Sequence, residues 1–499
     1  MRTFSKSKLL ALRQCPKRLW LEINRPDLRE DSDATEASFQ IGFQVGDIAQ
    51  QIYDPDGCGA LIDIQSEGFK RAFERSAELL NIAQPIFEAG FSAGGAMAFA
   101  DVMLPIQNEG KQAWRMVEVK SSTSVKDYHR DDVAVQAFVT QSAGVPLKSI
   151  ALAHIDSSWV YPGDDNYHGL LKENDLTAEA FARTEEVQGW ITQAQNIVAE
   201  TDEPDIKIGN HCDTPYECGF FAYCSQNEPK PEYPINWLPR FPSAKKRELA
   251  AQGLYDMTEI PDDLLNDKQQ RVKDYTVSNT VYFDAEGALA DLAEYPLPAY
   301  FLDFETIQFA VPIWKGTRPY QQITFQFSLH TLTESGELEH SDFLDLSGNN
   351  PSEAFAYALI AACGQQGPVY VYNAGFEMAR IRELAERYPS ISVSLLAINE
   401  RVVDLLPIAR ERYYHPSQQG SWSIKKVLPA VVPELRYDAL DGVQDGGMAM
   451  DAFLEAIHPN TNTERKAQVK QQLLAYCKLD TYAMVRLWQV FAGRTDMRL

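Results

Sequence analysis

Asp303 and Glu305 alternate inside an aromatic run, Tyr300-Phe301-Leu302-Asp303-Phe304-Glu305-Thr306. On a strand, residues two apart point to the same face. Ionised carboxylates on one face of an otherwise apolar strand need a partner or a metal ion. An edge strand with a wetted face would give the same alternation, but the apolar flanks argue against it. Two more acids follow in chemically suggestive phrases. Glu377 closes Val371-Tyr372-Asn373-Ala374-Gly375-Phe376-Glu377, and Asp480 closes Tyr476-Cys477-Lys478-Leu479-Asp480. Tyr476 and Asp480 are one helical turn apart and would share a face. Asp404 is an alternative acid near the second phrase. Lys425 and Lys426 either touch phosphate or form a solvated charge pair.

A second acidic set lies upstream. Phe99-Ala100-Asp101-Val102-Met103 carries one aspartate, and Val117-Glu118-Val119-Lys120-Ser121 carries a Glu-x-Lys. Glu118 and Lys120 share a strand face by the period of two, and Asp101 can meet them from a partner strand. Converging carboxylates hold a divalent ion that activates water and stabilises charge growing on a phosphate, while a nearby lysine orients the water or balances charge. Alone, Glu-x-Lys is a weak signal. Its weight here comes from the order Cys15, Asp101, Glu118, Lys120, Gln136 and then Cys212, Cys218 and Cys224.

Of seven cysteines, Cys212, Cys218 and Cys224 cluster within His211–Cys224, while Cys15 stands far upstream in Arg13-Gln14-Cys15-Pro16-Lys17-Arg18. Disulfides are rare in reducing compartments, so a local cluster points to a metal site. Four thiolates ligate either a [4Fe–4S] cluster or a zinc ion. Cys58, Cys363 and Cys477 are expected to be small buried hydrophobes.

With these residues in this order, the N-terminal part resembles the RecB-like PD-(D/E)xK iron–sulfur nucleases. The resemblance implies a restriction-endonuclease-like α/β core with a [4Fe–4S] cluster on Cys15, Cys212, Cys218 and Cys224. It implies a metal on Asp101 and Glu118, with Lys120 and Gln136 completing the catalytic set. Two positions depart from that family. Gly42–Asp47 lacks its early histidine and offers only Asp47 in that stretch, and Thr140 replaces its tyrosine after the glutamine. The C-terminal part resembles the DEDD exonucleases. That resemblance implies an RNase-H-like domain with a mixed sheet flanked by helices. Asp303, Glu305, Glu377 and Asp480 would hold two Mg²⁺ or Mn²⁺ ions, and Tyr476 would orient the attacking water. Glu377 stands where that family carries aspartate.

These residues need elements to position them. Ser5–Leu10 predicts a capped helix reaching Cys15–Pro16. Alternation over Ala98–Met103 and Trp114–Lys120 predicts two paired strands, with Gln107–Gly110 as the hairpin loop. Asp131–Thr140 predicts a helix carrying Gln136. Pro229, Pro231, Pro234, Pro239 and Pro242 mark a linker. Domains are therefore expected at 1–228 and 297–499, joined by 229–296. Leu249–Pro261 reads either as a helix–hairpin–helix turn or as a simple spacer. Tyr300–Phe304 and Pro368–Tyr372 predict buried strands. Ala374–Tyr388 and Glu464–Gln489 predict helices. Strands followed by helices suggest an α/β fold.

The hydrophobic share of 45% and charged share of 23% are ordinary for a globular chain. No long apolar run suggests a membrane span or a secretory leader, so the cytoplasm is the expected compartment. The net charge of −24 counts against tight non-specific nucleic-acid binding, although a local basic cleft can still steer a polyanion. The expected function is metal-dependent phosphodiester hydrolysis of DNA, single-stranded or at ends, with RNA also open. A role in DNA processing, repair or defence fits, and a protein partner could supply basic surface. The rival readings are a non-catalytic end- or partner-binding protein on nuclease folds, and a zinc-stapled scaffold.

Overall fold

The computed structural model describes residues 2–226 and 228–494. The chain forms two compact units, one of residues 1–228 with 309–320 and one of residues 229–308 with 321–499. Both are mixed α/β. No helix among the described residues is long and apolar enough to cross a membrane.

Unit 1 is built on a seven-stranded sheet. Its strands are β1 (Phe4–Ser5), β2 (Ala60–Leu61), β3 (Ile86–Ala93), β4 (Ala96–Asn108), β5 (Lys111–Lys120), β6 (Leu147–Ile155) and β7 (Leu171–Asp175). The order is β2-β3-β4-β5-β6-β7, with β1 paired to β4. Strands β3, β4 and β5 are antiparallel, and β5 and β6 are parallel. A parallel pair needs a crossover, and the helix Asp127–Ser142 supplies it. Its Val133, Val135, Phe138 and Val139 pack on Met103, Trp114 and Met116 in the main core. The expected helix is thus longer at its start, because Asp127 opens its first turn.

The β4–β5 hairpin is tighter than expected. Gln107 pairs with Gln112 and Asn108 with Lys111, leaving Glu109 and Gly110 as the turn. Both have positive φ, 52° and 76°, as a two-residue hairpin turn of the favoured twist requires. The excursion 309–320 adds Ala310 and Val311 to a satellite cluster with Val45, Ile48 and Leu170.

Unit 2 holds β8 (Tyr282–Phe283), β9 (Ala299–Ile307), β10 (Ile323–Leu332), β11 (Leu338–Leu344), β12 (Val369–Val371), β13 (Val402–Asp404) and β14 (Tyr413–Tyr414). Five of them form a sheet in the order β11-β10-β9-β12-β13, and β14 pairs with β8. Central β9 is antiparallel to β10 and parallel to β12. Its Tyr300, Leu302 and Phe304 pack with Phe355 and Ile381. On the other face Phe301 meets Trp488 of the helix Thr463–Phe491, at 5.9 Å between ring centroids. Asp303 and Glu305 share that second face by the strand's period of two.

The proline-rich stretch after 228 belongs to unit 2. Ile235, Leu238, Phe241, Met257 and Val272 share a core cluster with Phe301, Tyr370 and Trp422. Its prolines break helices without freeing the chain, since the apolar residues between them are buried. Leu249–Pro261 contains the end of the helix Ser243–Ala251, a turn at Gly253 and one 3₁₀ turn, Met257–Glu259. Asp256 and Glu259 close that turn in a reciprocal capping box, in place of the second helix that a helix–hairpin–helix would need.

Candidate active sites

In unit 2, Asp303, Glu305 and Cys477 bring ligand atoms within 4.8 Å of one another. Strand β9 supplies the first two, and the helix Thr463–Phe491 supplies Cys477, Tyr476 and Asp480 from the facing layer. The Cys477 thiol lies 3.7 Å from Asp303 Oδ2. Cys477 is buried as expected, but it belongs to the site and is not mere filling. Tyr437, which sequence reading missed, donates from its hydroxyl to Asp480 Oδ1 at 2.6 Å.

Glu377 stands in the first turn of the helix Gly375–Arg387. It is 3% exposed, and its Oε2 has no hydrogen-bond partner. Burial, then the nearby Asp480 and Glu305, holds Asp303 protonated well above the usual carboxylate range. Burial and Asp480 push Glu305 up to about 8. Burial and Asp404 push Glu377 up to about 8. Burial raises Asp480 only to about 6, because the Tyr437 hydroxyl and the Lys425 charge oppose it. Glu377 also adds to the repulsion felt by Asp303 and Glu305, so the acids from the three segments lie close enough to act on the strand pair.

Two expectations change here. Asp404 is a structural cap: its Oδ1 accepts from Asn373 N and Leu406 N, each at 2.9 Å, and its Oδ2 from Ala374 N at 3.1 Å. Three of its roughly four lone-pair sites are therefore committed to shaping the turn before Glu377. Lys425 and Lys426 are not an equivalent pair. Lys426 is exposed, whereas Lys425 Nζ lies 5.5 Å from the ring centres of both Tyr437 and Tyr476.

In unit 1 the β4–β5 ladder runs to Val102↔Val117, and one further step along both strands sets Asp101 across from Glu118. On the other side of β4, the register Phe87↔Val102 and Ala89↔Ala100 brackets Glu88 against Asp101. Glu88 has φ of 57°, a conformation rare for a non-glycine residue and worth attention at a site. Three acids thus lie in a row across β3, β4 and β5. Lys120 Nζ donates to Glu118 Oε1 at 2.6 Å and to Asp132 Oδ2 at 2.7 Å. Lys6 Nζ donates to the same Glu118 oxygen at 2.8 Å and pairs with Asp132 Oδ1 at 3.0 Å. Gln136 Nε2 donates to Glu118 Oε2 and, at 3.2 Å, to Asp132 Oδ1. Val119 N donates to Asp101 Oδ2 at 2.7 Å.

Glu118, Lys120 and Gln136 therefore meet, Lys6 and Asp132 join them, and Asp101 is held beside them by the Val119 backbone. Asp132 was legible in principle, being one turn before Gln136 on the same helix face. Lys6 carried no signal, since only folding brings it to Glu118. Burial opposes the Lys6 and Lys120 charges, but Asp132 and Glu118 outweigh it and raise both pKa values. Burial, then Glu118, raises Asp101, and the same causes lift Glu88 to about 7. Asp47 is exposed on the helix Asp33–Tyr53, and Thr140 is buried with an unpartnered hydroxyl.

Cys15, Cys212, Cys218 and Cys224 line one cavity of about 20 Å³. Cys15 sits in extended conformation between two helices, and Pro16 at the first helical position starts the second. Gln14 Nε2 binds the cysteine loop by donating to His211 O and Tyr216 O, both at 2.7 Å. Cys218 N donates to Cys212 O at 2.8 Å and Cys224 N to Phe220 O at 2.9 Å, which folds the trio back on itself. Burial raises the thiols of Cys212, Cys218 and Cys224, the last to about 11. Cys363 is buried as expected, but Cys58 is exposed beside Asp54 on a turn.

Residues 300–423 match a family described as a domain of unknown function, DUF2779. That stretch takes in Asp303, Glu305 and Glu377 and ends before Lys425, Tyr476 and Asp480. The chain is also 28% identical over 206 residues to "Uncharacterized protein MG366 homolog" of Mycoplasma pneumoniae, an alignment covering 38% of this chain. It spans 31% of that curated relative's length.

Proposed function

We propose that this chain is a metal-dependent nuclease with two hydrolytic centres, one resembling the PD-(D/E)xK nucleases in unit 1 and one resembling the DEDD exonucleases in unit 2. The observation that carries the reading is the convergence of Asp303, Glu305, Glu377 and Asp480. They come from three separate segments; Glu305, Glu377 and Asp480 are buried and Asp303 is half-buried. Acids gathered in this way oppose one another unless cations join them. Their oxygens are the hard donors that suit Mg²⁺ or Mn²⁺, and the unpartnered Glu377 Oε2 is a donor with nothing to hold. When bound, such ions supply an activated water and offset the charge on the phosphate.

The residues have separable tasks. Asp303 and Glu305 would hold the ions from the strand. Asp480 would do so from the helix, oriented by the Tyr437 hydroxyl. Burial, then Asp480, keeps Tyr476 protonated, so its hydroxyl can donate to or orient a water. Lys425 brings positive charge to the same pocket.

In unit 1, Asp101 and Glu118 would hold the ion, with Lys120 beside it and Gln136 fixing Glu118. The four thiols fit a metal group by their chemistry and by their common cavity. Four thiolates there would hold a [4Fe–4S] cluster, with a zinc ion as the alternative that the same donor set allows. Lys17 and Arg18 line the same cavity and would offset thiolate charge.

One observation favours a second reading for unit 1 alone. Glu118 and Asp132 are already neutralised by Lys6 and Lys120, as in a structural ion-pair network. On that reading unit 1 binds nucleic-acid ends or a partner without cutting. An assay on end-labelled single- and double-stranded DNA, and on RNA, with Mg²⁺ and with Mn²⁺ decides between them. Two activities, one removed by Lys120→Ala and one by Asp303→Ala, support two centres. Activity abolished by Asp303→Ala and untouched by Lys120→Ala supports the second reading for unit 1. Intact substrates throughout would sink the proposal.

A further inference from the structure

Unit 2 contains a cleft of about 700 Å³ whose walls carry Arg240, Lys268 and Arg410, with Asn266, Asn373 and Trp422 between them. Among the described residues, none that lines it is acidic. That is unexpected in a chain with 70 acidic and 46 basic residues. Lys268 also pairs with Glu411 at the rim. Arg240 is exposed and holds φ at 50°, in the left-handed region that non-glycine residues adopt at a cost.

The walls are locked together. Gly420 has φ of 75°, and a Cβ there would lie 1.6 Å from Trp237 O, so the loop before Ser421 seats directly on the 229–296 segment. Gln269 Nε2 donates to Pro239 O at 2.9 Å, tying the residue after Lys268 to the residue before Arg240. The Tyr372 hydroxyl donates to Trp422 O at 2.7 Å and joins the remaining two walls.

Two wall segments run straight into the carboxylate pocket. Asn373 lies on the turn that leads into the helix bearing Glu377. Ile424 lines the cleft, and the next residue is Lys425, whose charge acts on Glu305 and Asp480. We propose that this cleft seats a single-stranded nucleic acid, its phosphates held by Arg240, Lys268 and Arg410, and leads it toward Asp303, Glu305, Glu377 and Asp480. The inference rests on the nuclease reading of unit 2 and makes residues 229–296 part of the substrate site. Phosphate contacts of this kind fix register without reading bases. The three cations line one concavity together with Tyr372 and Trp422, and a charged groove with aromatic side chains is the arrangement that holds single strands. The local charge also accounts for how so acidic a chain could hold a polyanion.

Fluorescence anisotropy tests this with 5′-labelled oligothymidylate and oligouridylate, in EDTA so that neither is cut. The full chain is compared with Arg240→Asn/Arg410→Gln, with Arg240→Lys/Arg410→Lys, and with the exposed Lys470→Ala outside the cleft. Asparagine is chosen at 240 because it tolerates positive φ. Melting curves check that each variant folds. The expected result is binding at least about tenfold weaker for Asn/Gln, with a salt slope smaller by about 1.4 for two lost phosphate contacts on a single strand. The Lys/Lys variant should recover part of the affinity, Lys470→Ala should match wild type, and the two oligonucleotides report the sugar preference. Three outcomes overturn the proposal: no binding by wild type, equal affinity and slope for Asn/Gln, or equally effective competition by poly-glutamate. Arginine-dependent binding by a chain that cuts nothing would retain the cleft and remove the nuclease reading. Cutting that is indifferent to the arginines would do the opposite.

Discussion

The Tyr437 hydroxyl donates to Asp480 Oδ1 at 2.6 Å, from a residue 43 positions earlier in the chain. This bond favours the ionised carboxylate and is a main reason that Asp480 reaches only about 6 while Glu305 and Glu377 reach about 8. Tyr437→Phe should therefore raise the Asp480 pKa. The acid limb of the metal-dependent kcat/KM profile should move up by roughly one pH unit. An unchanged limb with lower kcat at every pH would mean that Tyr437 only packs.

Asp303→Asn should reduce hydrolysis by the unit 2 centre at least about 100-fold, since a carboxylate that would hold the metal is lost. In chelator the same variant should melt no lower than wild type, because it removes one acid from a repelling buried group. Calorimetry in EDTA checks this, and a fall of several degrees would contradict the electrostatic account.

Metal-free protein should lose stability as pH rises. Glu305 and Glu377 stand near 8, Glu88 near 7 and Asp480 near 6 in the folded chain. Their unfolded values are about 4, so the folded state binds more protons between the two. The stability they contribute is complete below about pH 4 and is lost as pH rises through 6 to 8. Melting temperatures in EDTA should fall from pH 5 to pH 9. Mg²⁺ or Mn²⁺ should flatten that fall, and a flat profile in EDTA would count against the pocket's shifted acids.

Lys6 and Lys120 act jointly on Glu118 and Asp132. Replacing either lysine by glutamine should cost roughly 1–3 kcal/mol, because the remaining lysine still offsets part of the buried charge. The double variant should cost more than the sum of the two, since both acids then stay buried without a cation. Urea unfolding of the four species gives the coupling, and simple additivity would show that the lysines act independently.

Cys15→Ser should remove most of the iron and acid-labile sulfide from anaerobically purified protein, together with its broad visible absorbance. Cys58→Ser should leave both unchanged, because Cys58 lies exposed on a turn beside Asp54. Stoichiometric zinc without sulfide in wild type would transfer the site to the zinc alternative.

Much of the chemistry was legible because it is local. The period of two places Asp303 beside Glu305 and Glu118 beside Lys120, and one helical turn places Tyr476 with Asp480. Burial of the flanking aromatics then makes those acids hard to explain as surface. Turn chemistry was less secure: Asp404 resembles a ligand in sequence but is consumed by three backbone N–H groups. Proline density suggested a free linker, yet Ile235, Phe241 and Val272 bury themselves with Phe301 and Trp422. The sequence by itself determined which strands and helices carry the acids and which faces those acids share. Only the tertiary structure decided that Lys6 meets Glu118, that Tyr437 meets Asp480, and that Arg240, Lys268 and Arg410 wall one cleft. Those meetings depend on how separate elements pack in three dimensions, and neither periodicity nor spacing along the chain encodes a distance across a core.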